Sequence, residues 1–173
     1  MDDTNTLIAN EIPRLRRYAL SLAGDVESAD DLVQDTLERA VRKRHLWSGR
    51  GPFRAWLYRV LLSVFLNKRA ANAKHQRDVG LEDAPQLWQR PAQEDRAHCR
   101  EVARAMQHLP DEQRAAIGLT AVEGMAYAEA ASMLDIPLGT LRSRLSRGRE
   151  ALRAMCPDHA DVIRQAQGQQ ISN

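Results

Sequence analysis

The stretch that decides the fold runs from Leu109 to Arg149 and reads LPDEQRAAIGLTAVEGMAYAEAASMLDIPLGTLRSRLSRGR. Within it, a short helical pattern from Tyr127 to Leu134 meets a tight break at Asp135-Ile136-Pro137. A longer helical pattern then runs from about Leu138 to Met155. Two helices joined by a three-residue turn, with the second rich in arginine, are typical of a DNA-binding helix-turn-helix. The stretch therefore predicts a helical unit that binds nucleic acid.

The arginine-rich helix carries the candidate DNA contacts. From Leu138 to Arg153 it holds five arginines against one acid, Glu150. Arginine on such a helix can donate two hydrogen bonds to guanine, while Pro137 and Gly139 let the backbone turn sharply and approach a phosphate. The candidate contacts are Gly139, Thr140, Arg142, Ser143, Arg144, Ser146 and Arg147. A solvated arginine face is the alternative for an isolated helix, but the preceding turn favours DNA binding.

Helical patterns lie on both sides of a break in the middle of the chain. Ahead of the helix-turn-helix, one helix ends at Pro110 and another runs from Asp111 to Gly124. Residues 76–96 follow no period and contain one glycine and two prolines, which is typical of a linker. The sequence therefore predicts an all-α fold, with two small helical domains joined by a flexible linker. The predicted boundaries are 5–75 for the first domain, 76–96 for the linker, 97–156 for the second domain and 157–173 for a polar tail.

Three helices are predicted in the first domain. The first opens near Pro13, because proline is well tolerated at a helix start, and ends at Gly24. Asp25 or Ser28 caps the second helix. The third starts at Pro52 or the residue after it.

Charge is distributed unevenly, although the net charge is only +2. Residues 25–38 hold six acids and no base. On one face of the second helix, helical spacing places Asp30, Asp31, Gln34, Asp35 and Glu38. An acidic face suits a basic protein partner, as the arginine face suits a polyanion. A purely solvated face is the alternative.

The sequence predicts neither a membrane span nor an export signal. The longest apolar run, from Val60 to Leu66, is interrupted by Ser63 and is too short to cross a bilayer. The N-terminus is acidic, whereas a signal peptide is basic there. We therefore expect a cytoplasmic protein.

Two cysteines leave one question open. Cys99 and Cys156 lie far apart, and a structural disulfide is not expected in a cytosolic chain. His98 and His159 lie beside them, so a metal or redox role is an alternative to plain thiols. Because the spacing lacks the regular pairs of a zinc site, no metal is predicted.

The quoted stretch resembles region 4 of the extracytoplasmic-function (ECF) sigma factors of bacterial RNA polymerase. The motifs that carry the resemblance are LP-x-x-x-R, Y-x-E-A-A-x-x-L, I-P-x-G-T and R-S-R-L. Three earlier segments resemble region 2 of the same family: PRLRRYALSLAGD (13–25), ADDLVQDTLERAV (29–41) and FRAWLYRV (53–60). The resemblance implies a sigma factor that binds core RNA polymerase and directs promoter recognition and transcription initiation in a stress response. It implies neither catalysis nor a cofactor.

The resemblance also supplies partners and residue roles. Region 4 of the family reads the minus-35 promoter element, and region 2 opens the minus-10 element and binds the beta-prime coiled coil of polymerase. The beta flap and an anti-sigma factor are further implied partners. The polymerase contacts fall on Asp31, Leu32, Gln34, Asp35 and Glu38. The minus-10 contacts fall on Trp47, Arg50, Arg54, Tyr58, Ser63, Asn67, Lys68 and Arg69.

One departure from the family pattern bears on specificity. Leu61-Leu62-Ser63 stands where an Ala-Arg-Asn-like triplet is usual, so the preferred minus-10 bases stay open. Three other readings of the chain remain. A sigma mimic would act as a decoy for an anti-sigma factor, and a helix-turn-helix regulator would act without polymerase. An enzyme is the least favoured, since no glycine-rich phosphate loop or catalytic grouping stands out.

Overall fold

The computed structural model describes residues 2–47, 52–79 and 94–157. Within these ranges the chain is helical and contains no strand, which confirms the predicted all-α class. The helices are α1 (Asp2–Ala23), α2 (Val26–Lys43), α3 (Phe53–Val79), α4 (Glu94–Gln107), α5 (Asp111–Ile117), α6 (Tyr127–Leu134) and α7 (Leu138–Met155). A 3₁₀ turn at Arg44–Leu46 follows α2, and a π-helical turn at Gly118–Val122 follows α5. None of the described helices is long and apolar enough to span a bilayer.

The first helix begins earlier than its sequence pattern predicts. A start near Pro13 is wrong, because α1 begins at Asp2 and Pro13 lies inside it. A proline inside a helix removes one backbone hydrogen bond. The extra turns nevertheless carry Ile8, whose side chain is only 8% exposed in the core. Burial of this apolar side chain favours helix across the proline.

A capped turn joins α1 to α2. Gly24 has a φ of +90°, a conformation that favours glycine, and Asp25 then takes an extended backbone. The Asp25 carboxylate accepts a hydrogen bond of 2.7 Å from the backbone N–H of Ser28. Asp25 is therefore the cap, and Ser28 is in the first turn of α2. The three N-terminal helices enclose a core that includes Leu15, Leu22, Leu32, Leu57 and Leu61.

The C-terminal helices form the predicted helix-turn-helix. The bounds of α6 and α7 agree with the prediction at both ends. Asp135 ends α6 in the left-handed conformation, at φ 53° and ψ 47°, which turns the chain towards α7. Leu141, Leu145 and Leu152 of α7 are buried, and Gly148 lets α7 approach the side chain of Ile117 on α5.

The two halves of the molecule pack directly against each other. We call α1–α3 the N-terminal half and α4–α7 the C-terminal half. Buried apolar residues from both belong to one continuous core cluster. Of the predicted linker, 76–79 continue α3 and 94–96 begin α4, while 80–93 lie outside the described residues, as does the tail after 157.

Candidate nucleic-acid interface

Helix α7 presents a basic face to solvent. Its apolar residues Leu141 and Leu145 are 0% and 1% exposed, so they fix which side of the helix faces the core. The opposite side exposes Arg142, Ser146 and Arg147. Gly139 lies in open space at the helix start, where an added Cβ would meet nothing within 4 Å. The start of α7 is therefore free to approach a large ligand such as a DNA groove.

Short-range contacts order the side chains around this face. The Ser143 hydroxyl donates to the Thr140 carbonyl at 2.9 Å, and Arg147 Nη2 donates to the Ser143 hydroxyl at 3.4 Å. Arg144 is more enclosed, and its Nη2 lies 3.3 Å from the carboxylate of Glu112 on α5. Arg142 and Arg147 are thus the exposed arginines of the predicted set, and Arg144 also holds α7 to α5.

Not every arginine of α7 faces solvent. Arg149 is 7% exposed, and its Nη1 donates to the hydroxyl of Tyr127 on α6 at 2.9 Å. Its guanidinium carbon lies 5.9 Å from the centre of the Tyr127 ring. Arg153 in turn donates to the Arg149 carbonyl at 3.2 Å. Arg149 therefore stabilises the packing of α7 on α6, a role that its charge alone does not indicate, whereas the bond of Arg153 lies within α7.

The predicted minus-10 residues divide into exposed and paired side chains. Ser63 and Asn67 are exposed one helical turn apart on α3. Lys68 Nζ lies 2.6 Å from Asp35, and Arg69 Nε lies 3.3 Å from Asp111. Arg54 Nε lies 3.0 Å from Glu11 and is about one-third exposed, while Arg50 lies outside the described residues.

Two aromatic members of that set are enclosed in this structure. Trp47 packs edge-to-face on Phe53, with ring centres 5.1 Å apart, and its indole N–H is buried without a hydrogen bond among the described residues. Tyr58 is 2% exposed and donates its hydroxyl to Glu123 at 2.8 Å. Burial, together with Glu123, raises the pKa of Tyr58 far above its usual value. Tyr58 therefore contacts the C-terminal half and is not open to DNA here.

An open groove of about 710 Å³ lies between α1 and α2. Its residues combine an apolar floor with charged edges: Ile12, Arg16, Asp30, Val33, Gln34, Leu37, Glu38, Val41 and Arg42. Val41 is 54% exposed although the sequence places it on an apolar stripe. An apolar residue at the edge of a helix stripe gives no sequence signal that tells a core position from an exposed one.

Two of the predicted polymerase contacts, Gln34 and Glu38, line this groove. Asp31, Gln34 and Glu38 are exposed, and Asp35 is half-buried beside Lys68. Leu32 is different, because its side chain is only 2% exposed and belongs to the core. In this structure Leu32 supports α2 from inside and offers no contact surface.

Among the described side chains, no group of three or more metal-ligating residues occurs. Cys156 is buried, its thiol lies 3.9 Å from the Glu101 carbonyl, and burial raises the pKa of this thiol. The side chains of Cys99, His98 and His159 lie outside the described part of the chain.

An all-helical chain whose helix-turn-helix presents exposed arginines on its second helix is a DNA-binding protein of the transcription-factor class. Comparison of the sequence with known protein families narrows this class of DNA-binding proteins. Residues 99–152 match the family model "Sigma-70, region 4", and residues 8–62 match the model "Sigma2 domain of PhyR". Both matches fall on the two halves described above.

Two named relatives agree with these matches. The chain is 33% identical over 144 residues to the ECF RNA polymerase sigma factor EcfG of Rhodopseudomonas palustris, covering 83% of this chain and 80% of that protein. It is 30% identical over 175 residues to the ECF RNA polymerase sigma factor SigE of Mycolicibacterium smegmatis, covering 96% of this chain and 66% of SigE. The solved sigma factor RpoE, in complex with the anti-sigma factor NepR from Bartonella quintana, is similar with a TM-score of 0.79. That match has 29% identity over 91% of this chain and 98% of the other. The chain belongs to the ECF sigma factors of bacterial RNA polymerase.

Proposed function

We propose that this chain binds core RNA polymerase and directs it to a set of promoters through two DNA-contacting surfaces. The observation that carries the proposal is the exposed basic face of α7, with Arg142, Ser146 and Arg147 opposite a buried apolar side. Arginine and serine on the second helix of a helix-turn-helix are suited to base edges and phosphates in the major groove. In the proposal, α7 reads the minus-35 element.

The proposed minus-10 surface is the exposed side of α3. Ser63 and Asn67 offer hydrogen-bonding groups one turn apart, and Lys68 supplies a positive charge beside them. Such a polar and basic strip suits a single DNA strand with unstacked bases. Ser63 has a shorter side chain than the asparagine usual in the family, so its hydrogen bond reaches less far.

The proposed polymerase surface is the groove between α1 and α2 with the acidic residues beside it. Exposed Gln34 and Glu38 line the edge of an apolar floor that includes Leu37 and Val41, and Asp31 is exposed on the same helix. An apolar floor with a charged rim is the usual composition of a protein–protein interface, and a helical partner could lie along it. The acidic side chains would favour a basic partner.

We further propose that an anti-sigma factor holds the chain inactive, that the chain acts in the cytoplasm beside polymerase, and that it has no catalytic activity. Support for the first comes from RpoE of Bartonella quintana, which was solved with the anti-sigma factor NepR and is similar over 91% of this chain. The test is co-purification from uninduced native cells. A partner that also suppresses transcription when added back would support the proposal, and recovery of only free or polymerase-bound chain under all conditions would contradict it.

The main test is binding to purified core RNA polymerase followed by run-off transcription on fragmented genomic DNA. A sigma factor binds polymerase and produces transcripts with defined 5′ ends that core polymerase alone does not produce. Polymerase binding without such transcripts would indicate a sigma mimic. DNA binding without polymerase binding would indicate a helix-turn-helix regulator.

A matched pair of variants sharpens this test. Arg142→Ala removes a charge from the exposed face of α7, whereas Arg153→Ala removes the same charge from a partly enclosed site further along α7. Both variants should bind polymerase as the parent does. Only Arg142→Ala should lower the yield of defined transcripts, and equal loss in both variants would contradict the assignment of the reading face.

A further inference from the structure

Leu138, the first residue of α7, is exposed although its side chain is large and apolar. Its exposed fraction is 38%, whereas Leu141 and Leu145 of the same helix are 0% and 1% exposed. Packing in the core therefore does not account for a leucine at this position. A single exposed leucine is common on protein surfaces, so its place on the helix decides what it indicates.

Leu138 lies on the same strip of α7 as the exposed Arg142. Because the two residues are four positions apart, their directions differ by about 40° and they are separated by about 6 Å along the helix axis. In a helix-turn-helix, the N-terminal part of the second helix is the part that contacts base edges. At Gly139 an added Cβ would meet nothing within 4 Å, so this end of α7 is open. A DNA groove that Arg142 enters is therefore also within reach of Leu138.

The charge around Leu138 suits DNA better than an apolar protein partner. From Leu138 to Arg149 the chain holds four arginines and no acid. The fully buried centre of a protein–protein interface is depleted in charged residues, whereas a run of positive charge attracts the phosphate backbone of DNA. An apolar side chain in such a run is placed against a base edge when the arginines beside it contact the duplex.

One base in the major groove presents an apolar group to such a side chain. Thymine carries a C5 methyl group there, whereas the other bases present hydrogen-bond donors and acceptors that a leucine cannot pair. Contact between leucine and the methyl group removes both from water. Burial of one methyl group is worth a factor of about four in binding.

We propose that Leu138 is a specificity-determining residue of the minus-35 contact and that it selects a thymine through the C5 methyl group. This inference deepens the proposed function and rests on it. A helix advances about 1.5 Å per residue and stacked base pairs are about 3.4 Å apart, so the selected thymine lies within about two base pairs of the position that Arg142 contacts.

The test replaces each thymine of the selected minus-35 element with uracil, one at a time, which removes the methyl group and keeps the base pairing. The full chain in complex with core polymerase is titrated onto these duplexes. The parent should bind one uracil duplex about fourfold more weakly than the matching thymine duplex. Leu138→Ala should bind that pair of duplexes equally, whereas Leu138→Met, which keeps an apolar side chain of similar volume, should retain the difference.

Met155→Ala is the matched control, because Met155 is also 38% exposed but lies at the opposite end of α7. This variant should distinguish thymine from uracil as the parent does. Discrimination that persists in Leu138→Ala, or the lack of any thymine whose methyl group affects the parent, would overturn the inference and leave the proposed function standing. Weaker binding of Leu138→Ala to core polymerase without DNA would also overturn it, since Leu138 would then belong to a protein contact. A parent that selects no upstream element at all would reject the proposed function together with the inference.

Discussion

In the proposed function, promoter reading depends most directly on Arg142 and Arg147. They are five positions apart on α7, so about 500° of rotation separates them and their directions differ by roughly 140°. Both are exposed, and Arg147 is held by Ser143. We therefore expect the two side chains to reach different base pairs, or one to reach a base and the other a phosphate.

We expect Arg142→Ala and Arg147→Ala each to reduce promoter use, and at least one to relax preference at a single minus-35 base pair. Loss of a base contact should cost about 1–3 kcal/mol, whereas loss of a phosphate contact should weaken all sequences alike and lower the salt slope by about 1. Binding of the full chain, with core polymerase, to a library of minus-35 variants distinguishes the two. If both mutants bind every variant as the parent does, α7 is not the reading helix.

Tyr18 and Tyr58 make the stability of the molecule sensitive to alkaline pH. Burial, and secondly the charge of Glu123, raises the pKa of Tyr18, and burial with the Glu123 hydrogen bond raises the pKa of Tyr58. The folded protein thus keeps both protons where the unfolded chain, with a tyrosine pKa of about 10, loses them. This contribution to stability is full below pH 10 and is lost as the pH rises above it.

The prediction is that the free energy of unfolding falls more steeply above pH 10 in the parent than in Tyr18→Phe/Tyr58→Phe. Each tyrosine contributes a slope of up to about 1.4 kcal/mol per pH unit. Urea unfolding at a series of pH values measures this slope, and the other titrating groups are common to both proteins. Equal slopes would mean that the two hydroxyls are not buried in solution.

For single residues, the sequence predicts whether a side chain is exposed better than it predicts which residue that side chain contacts. The exposed positions of Arg142, Ser146 and Arg147 follow from helical spacing, because Leu141 and Leu145 must face the core. Arg149 looks the same in the sequence, yet it is buried on Tyr127. A partner twenty-two positions away depends on how α6 packs on α7, which no local pattern specifies.

At the scale of single elements, helix α2 has two sides with different roles: an apolar side that packs in the core and an acidic side that faces solvent. Leu32 packs inward, while Asp31 and Glu38 face solvent near the groove. Because the helix is held by its apolar side, its acidic side can change without loss of the fold. This separation makes α2 suitable for a test of polymerase binding.

We expect Asp31→Lys/Asp35→Lys to weaken binding to core polymerase while the fold persists. The Asp35–Lys68 pair is nearly half exposed, so its loss should change stability by at most about 1 kcal/mol. Fluorescence anisotropy with labelled chain measures the affinity, and thermal unfolding serves as the control. A folded double mutant with undiminished polymerase affinity would reject the assignment of the acidic face.

The limits of α6 and α7 follow from the sequence because Asp135 and Pro137 leave little choice of where one helix stops and the next begins. The start of α1 does not follow, because a proline is compatible with both a helix start and a tolerated interior position. Burial of Ile8 decides between the two, and that burial depends on the assembled bundle. Local signals therefore predict helix ends only where tertiary packing does not oppose them.

At the scale of the whole molecule, the division into two separable domains remains a prediction. In the structure the two halves share one continuous core cluster. The sequence predicts a linker at 76–96 but contains no signal for docking, since the contacts of Tyr18, Arg114 and Glu123 join residues about 65 to 106 positions apart. Pairings over such distances depend on the shapes of both finished halves.

Limited chymotrypsin digestion should cut between Arg77 and Arg96, where Leu87 and Trp88 offer sites, and leave two helical fragments. Because the contact between the halves does not depend on that connection, the fragments of the parent should elute together, and those of Glu123→Gln, which lacks the ion pair with Arg17, should separate more readily. Size-exclusion chromatography with mass spectrometry identifies the fragments. Resistance to cleavage together with a single unfolding transition in every variant would contradict the two-domain organisation.

The most direct test of the sigma-factor assignment is transcription by core RNA polymerase from a randomised promoter library, with and without this chain. Sequencing of the transcripts identifies every template that supports initiation. We expect the chain to select templates that share two short elements at a fixed separation, and Arg142→Ala or Arg147→Ala to change the bases selected in the upstream element only. Selection of the same templates by core polymerase alone, or of templates with no shared elements, would contradict it.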